Sequence, residues 1–196
     1  MPQFVTTRLS LLLRIRDARD AESWGRFVKI YAPMIFRYAQ RMGLQDADAA
    51  DVTQDVLRVV SEAIQGFDYD PQVGRFRGWL KKVAFYTSSQ LKKRHRRQPV
   101  AAGDSVVQAS IDQSATDVDS RFWNEQYSNR MFELACDRVR PSVQPQTWEA
   151  FLATAVREED PQAVADRLGL KIGSVYVARN RVFSRIREAL SDLDER

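Results

Sequence analysis

The segment Glu158–Leu190, EEDPQAVADRLGLKIGSVYVARNRVFSRIREAL, decides how the chain is read. Asp160 is placed to cap a helix, and Pro161 fits the first helical position, where its missing N–H has no intrahelical partner to lose. Val164, Ala165 and Leu168 then recur at helical spacing, Gly169 supplies a turn, and Leu170, Ile172, Val175 and Ala178 resume the apolar set. A small residue at Ala165 lets two helices cross closely, and a glycine can take the left-handed backbone a sharp turn needs. These positions together predict a helix-turn-helix.

Its second helix is expected to bury Val175, Ala178, Val182, Ile186 and Leu190. The outer face then carries Ser174, Tyr176, Val177, Asn180, Arg181, Ser184 and Arg185. Arg bonds guanine in two places, Asn does the same with adenine, and either Arg or Lys neutralises phosphate, so this face suits duplex DNA. An ordinary helical hairpin with a solvated basic face is the plain alternative.

Upstream, charge is segregated. Between Leu44 and Asp70 seven acids face one base, Arg58; from Pro71 to Gly103 there are nine bases and no acid. Such segregation points to two macromolecular partners of opposite character. Five of the acids belong to a helix, DADAADVTQDVLRVVSEAI, with Val52, Val56, Val59, Val60 and Ala63 on one side and Asp51, Gln54, Asp55, Arg58 and Glu62 on the other. That outer stripe is either a solvated face or a docking face for a basic protein surface. The bases belong to GRFRGWLKKVAFYTSSQLKKRHRR, Gly74–Arg97, where Phe76, Leu80, Val83, Ala84, Thr87 and Leu91 form the expected buried side. Phe85 and Tyr86 fall outside that side, among Lys81, Lys82, Ser89, Lys92, Lys93 and Arg96. Exposed rings stack unpaired bases while cations neutralise phosphate, a combination suited to single-stranded or melted nucleic acid. Packing of both rings on another helix of the same domain is the alternative.

Composition narrows the rest. With 196 residues, 44% hydrophobic and 29% charged, the chain is expected to be globular. Its longest apolar run, at Leu9–Leu13, is too short to span a membrane and has no signal-peptide character, so a cytoplasmic location is expected. One cysteine, Cys136, and one histidine, His95, leave too few soft ligands for a zinc site, and Cys136 reads as core. No phosphate-cradling glycine loop or nucleophile–histidine pattern occurs, so neither cofactor, metal nor catalytic residues are expected. An enzyme using the carboxylates of Asp46–Asp55 is a distant rival, which Asp51→Ala would expose.

Helical periodicity dominates throughout, with RLSLLLRIRDARD and AESWGRFVKIYAPMIFRYAQRMGL as the first two segments and Gly43 and Gly66 as stops. Trp24, Phe27, Val28, Tyr31, Ile35 and Tyr38 are spaced for one buried stripe. Small polar and acidic residues from Gln98 to Asp119 read as a flexible linker. Breaks are expected at Pro141 and Pro145. The fold class is therefore all-α: a four-helix-type domain over residues 1–97, a linker over 98–119, and a helix-turn-helix domain over 120–196.

In that order the segments resemble the extracytoplasmic-function (ECF) sigma factors of bacterial RNA polymerase. SWGRFVKIYAPMIFRYAQRMGL, DADAADVTQDVLRVV, FDYDPQVGRFRGWLKKVA, WEAFLATAV and the helix-turn-helix are all similar to family blocks. The resemblance implies that Asp51, Gln54, Asp55 and Arg58 dock on the clamp helices of the polymerase's largest subunit. It implies that Arg75, Arg77, Trp79, Lys82, Phe85, Tyr86, Ser89, Gln90 and Lys93 open the promoter and read the minus-ten element on the melted non-template strand. The outer face of the second helix-turn-helix helix would read the minus-thirty-five element as duplex. Core polymerase and promoter DNA are the implied partners, with an anti-sigma protein as a further one and no membrane. Without core, the two domains are expected to hide their DNA faces against each other or against that protein. The chain departs from the family's habit at Phe85-Tyr86, where Arg-Asn is common, at Gln90, where an acid is common, and at Tyr176, Val177 and Ala178. A stand-alone helix-turn-helix regulator binding an operator as a dimer is the competing reading.

Overall fold

The computed structural model describes residues 9–66, 76–95 and 117–195. These residues form an all-α fold with no strand among them. The helices are α1 (Leu9–Arg14), α2 (Ala21–Arg41), α3 (Asp46–Ala63), α4 (Phe76–His95), α5 (Asp117–Val139), α6 (Pro145–Phe151), α7 (Pro161–Leu168) and α8 (Ile172–Glu195). Short 3-10 turns follow α3 and α5, and a π-helical turn, Leu152–Val156, follows α6. Of the expected linker, residues 98–116 lie outside the described residues, while 117–119 already belong to α5.

The chain divides into two units, Met1–Ser128 and Asn129–Arg196. The division falls inside α5, so residues 120–128, grouped with the second domain from sequence, pack with the first unit. The reason is aromatic: Phe122, Trp123 and Tyr127 meet Tyr38 and Tyr31 of α2, and removing that much apolar surface from water outweighs the sequence separation.

In the first unit α2 begins at Asp20, whose carboxylate accepts the Ser23 N–H at 2.9 Å. That bond, with Arg14 beside it at 2.9 Å, holds the Asp20 carboxyl below its usual range. From there α2 buries Phe27, Tyr31, Ile35 and Tyr38 as the spacing predicts, with Trp24 and Val28 at the margin. Phe76, the first residue of α4, closes this core by meeting Phe27 and Tyr31 edge-on, each at 5.8 Å. Val52, Val56 and Val60 of α3 complete it. The buried hydroxyls of Thr53 and Ser88 donate to the carbonyls of Ala49 and Ala84 one turn back, so neither is orphaned.

In the second unit Ala135 and Val139 of α5, Phe151 of α6, and Val182, Ile186 and Ala189 of α8 share one cluster. Ala150, Ala153, Val164, Ala165, Val175 and Ala178 share another, where the small side chains let α6, α7 and α8 approach closely. Pro145 starts α6 and Arg140–Ser142 forms a 3-10 turn, so the two expected breaks coincide with real helix ends. Cys136 is half-buried against the first cluster; burial above all, with Asp137 and Glu133, pushes its thiol up to about 11. A thiol so rarely ionised at neutral pH is a poor nucleophile.

Candidate nucleic-acid interface

The basic helix α4 has neighbours on several sides, and this changes which of its cations meet solvent. Phe76, Leu80, Val83 and Ala84 are buried as expected, while Thr87 and Leu91 are only half-buried. Lys81, expected on the open side, and Arg77, which the resemblance assigns to the minus-ten strand, are each only 6% exposed. The Arg77 guanidinium lies 4.4 Å from the Tyr127 ring centroid, and Lys81 Nζ donates to Ser120 Oγ at 2.8 Å. The expectation fails because periodicity locates one buried stripe, whereas α5 covers a second side of the same helix. Lys92 Nζ donates to the Met42 carbonyl at 2.6 Å, placing a cation at the negative end of α2. His95 lies 3.5 Å from Asp48. Lys82 is half-buried and Lys93 and Arg94 are exposed; Arg75, Arg96 and Arg97 lie outside the described residues.

Phe85 and Tyr86 are half-buried and in edge-to-face contact at 5.6 Å. They are therefore neither core residues nor fully exposed. Tyr86 lines a cleft of about 320 Å³ between α3 and α4, together with Trp79, Lys82 and Gln90 from α4 and Asp55 and Arg58 from α3. Ser89 is half-buried and is not part of its lining, nor is Phe85. The cleft joins two residue sets that the sequence places on separate helices with separate partners.

On α3, Asp51, Gln54, Asp55, Arg58 and Glu62 are all exposed. Arg58 donates to Asp55 at 3.0 Å and lies 4.0 Å from Glu62. These carboxylates, Asp55 first, hold its proton more firmly still. Pairs this exposed add little to stability. Their consequence is a fixed pattern of charge along the rim of the cleft.

The helix-turn-helix forms as read. Asp160 Oδ2 accepts the Ala163 N–H at 2.9 Å, Gly169 adopts φ 64° and ψ 33°, and the Leu170 N–H reaches the Ala165 carbonyl at 2.9 Å. Val164, Ala165, Val175 and Ala178 are buried, and Leu168 and Leu170 pack partly against them. Ile172, expected inside, is 41% exposed, whereas Val175 in the same turn is buried. Leu190 is half-buried, with Ala189 taking the inner position beside it.

On the outer face of α8, Ser174, Tyr176, Val177, Asn180, Arg181 and Ser184 are exposed, Val177 at 56%. Arg185 is different: its Nη1 donates to the Ser142 carbonyl at 2.5 Å and to Ser142 Oγ at 3.1 Å, tying α8 to the turn after α5. Two residues of this face escaped the sequence reading. Arg179 lies over the Tyr176 ring at 5.4 Å, which the three-residue spacing could have suggested. Lys171, in the turn itself, lines a shallow groove of about 410 Å³ with Thr147, Ser174, Val177 and Arg181.

Behind α7, Glu149 accepts from both Arg157 and Arg167, and Glu159 accepts from Arg157 at 2.7 Å and Arg167 at 2.5 Å. Arg157 first, then Arg167, hold the Glu149 carboxyl below its ordinary value. Gln146 Nε2 donates to the Leu168 carbonyl at 2.7 Å, satisfying an orphan acceptor at the end of α7. Among the described residues, no cluster of His, Cys, Asp and Glu is placed to hold a metal, and no helix is long and apolar enough to cross a membrane.

Residues 27–98 match the family model for sigma-70 region 2. The chain is 24% identical over 179 residues to the ECF RNA polymerase sigma factor SigE of Mycolicibacterium smegmatis, covering 89% of this chain and 64% of that relative's length. A solved structure of CnrH in complex with the cytosolic domain of CnrY aligns over 93% of this chain and 96% of that one, at 16% identity and a TM-score of 0.37. A score that low does not carry the arrangement of one chain over to the other.

Proposed function

From the match of residues 27–98 to sigma-70 region 2 and the likeness to an ECF sigma factor, we propose that the chain is an ECF sigma factor that binds core RNA polymerase and directs it to a subset of promoters by two-point recognition. The exposed acidic face of α3, with Asp51, Gln54 and Asp55, docks on a basic surface of the polymerase. On α4, Trp79, Lys82, Tyr86, Gln90 and Lys93 hold the melted minus-ten strand: cations meet phosphates and rings stack on unpaired bases. On α8, Asn180, Arg181 and Ser184 face base edges of the minus-thirty-five duplex, with Tyr176 and Val177 contributing apolar contact. The protein has no catalytic activity of its own, acts in the cytoplasm and has an anti-sigma protein as a further partner.

The observation that carries this reading is the cleft in which Tyr86 and Trp79 stand beside Asp55 and Arg58. It supports a coupling in which docking on the polymerase and capture of a melted strand occur side by side. Run-off transcription with core polymerase on a genomic fragment library tests the proposal and yields the promoter sequence. Phe85→Ala and Tyr86→Ala should impair promoter opening while core binding persists; loss of both together would make the rings structural. A specific palindromic footprint by the protein without core would replace the proposal with a dimeric operator-binding regulator.

A further inference from the structure

We propose that Val177 reads a thymine methyl group in the DNA major groove, and that this contact, one helical turn from Arg181, sets the minus-thirty-five preference of the chain. The inference rests on the proposed role of α8 in reading duplex DNA. Val177 stands three residues after Ser174 and four before Arg181, so the three share a side of the helix. That side is turned away from the buried stripe of Val175, Ala178, Val182 and Ile186. Among the described residues no large apolar side chain is more exposed than Val177, at 56%. It lines the shallow groove with Lys171, Ser174 and Arg181, which set a phosphate partner, a hydroxyl and a base-edge donor around one apolar side chain.

Single exposed apolar residues are ordinary on protein surfaces, so the position and type of this one decide its meaning. Valine is a weak helix former, and an exposed helical site gains no stability from it. What it adds is shape: in a helix its χ1 keeps to one rotamer, so two methyl groups stand at a fixed place with little entropy to lose on contact. In the major groove thymine alone of the four bases presents a methyl group, at C5, and a side chain without donors or acceptors has nothing to offer the polar edges of the others. Tyr176, the other apolar residue of this face, is less free for that contact, because Arg179 lies over its ring at 5.4 Å. Arg185 is held by Ser142, which leaves Arg181 as the arginine beside Val177 for a guanine. Four residues of helix cover about 6 Å, close to two base-pair steps of about 3.4 Å, so the thymine lies within about two steps of that guanine.

The test uses holoenzyme assembled from core RNA polymerase and the full-length chain, on promoter fragments recovered by run-off transcription. Each thymine of the minus-thirty-five duplex is replaced in turn by deoxyuridine, which removes the C5-methyl and keeps the base pair, and binding is followed by fluorescence anisotropy. Replacement at one thymine should weaken binding about fourfold, the worth of one buried methyl group. Val177→Ala should bind the unmodified duplex about as weakly and no longer respond to deoxyuridine at that position, while Val177→Ile keeps the response. Alanine is the better helix former at an exposed site, so a loss of binding by Val177→Ala does not come from unfolding of α8. Equal responses of the native chain and Val177→Ala, or a minus-thirty-five duplex in which no thymine replacement weakens binding, would overturn the methyl contact while leaving promoter recognition in place. Holoenzyme that transcribes no fragment would overturn the promoter reading, and the methyl contact with it.

Discussion

Two helices carry the cationic and aromatic residues suited to DNA, and they are built in opposite ways. On α8 the buried stripe is purely apolar, through Val175, Ala178, Val182 and Ile186, and the polar face opposite it is exposed. On α4 the buried residues include Arg77, Lys81 and Ser88 beside Phe76, Leu80 and Ala84, and no wide open face remains. An amphipathic helix with one packed side displays what its period says. One packed on several sides displays what its neighbours leave. The same kind of cation is therefore exposed on one helix and part of a seam on the other.

The largest effects should come from the cores beneath the two helices. Phe76→Ala removes the ring that joins α4 to Phe27 and Tyr31 and should cost about 3–5 kcal/mol, read by urea unfolding. A loss below about 1 kcal/mol would mean that α4 is held mainly by its other contacts. Next, Arg77→Ala should destabilise the fold by about 2 kcal/mol through loss of the desolvated contact with Tyr127, whereas Arg181→Ala should stay within about 0.5 kcal/mol. Equal costs would erase the contrast between the helices. Asp160→Ala, which removes the cap of α7, should cost about 1 kcal/mol by the same measurement.

The smallest effect separates the units by pH. Glu149 ionises below its ordinary value of 4.5 in the fold, because Arg157 and Arg167 favour the charged form. Its contribution is therefore present above pH 4.5 and fades as pH falls through the lower folded value. The melting temperature of the native chain should exceed that of Glu149→Gln at pH 7, with the gap closing in acid and shrinking in high salt. A gap that widens in acid would reverse the assigned sign.

Much of this was legible in the sequence where a local rule operates. Asp160, Pro161 and Gly169 mark their turn because capping, a missing N–H and a left-handed backbone are properties of single residues. The stripe Phe27, Tyr31, Ile35 and Tyr38 follows from the helical period alone. The residues misread are those whose fate depends on distant segments. Arg185 reaches Ser142, Lys81 reaches Ser120 and Lys92 reaches Met42, and no period encodes those meetings. Ile172 has the right spacing for the core and is nonetheless 41% exposed.

The sequence by itself determined an all-α chain, its helix-turn-helix, an acidic helix followed by a basic one, and the family likeness those segments carry. Each of these is written in short-range order: propensity, period, caps and charge along a few turns. Only the tertiary structure decided which cations are accessible, that α5 packs its aromatics on the first unit, and that Tyr86 and Asp55 line one cleft. Accessibility and juxtaposition are set by whichever distant surface gains most by excluding water, and that competition is settled only when the whole chain has folded.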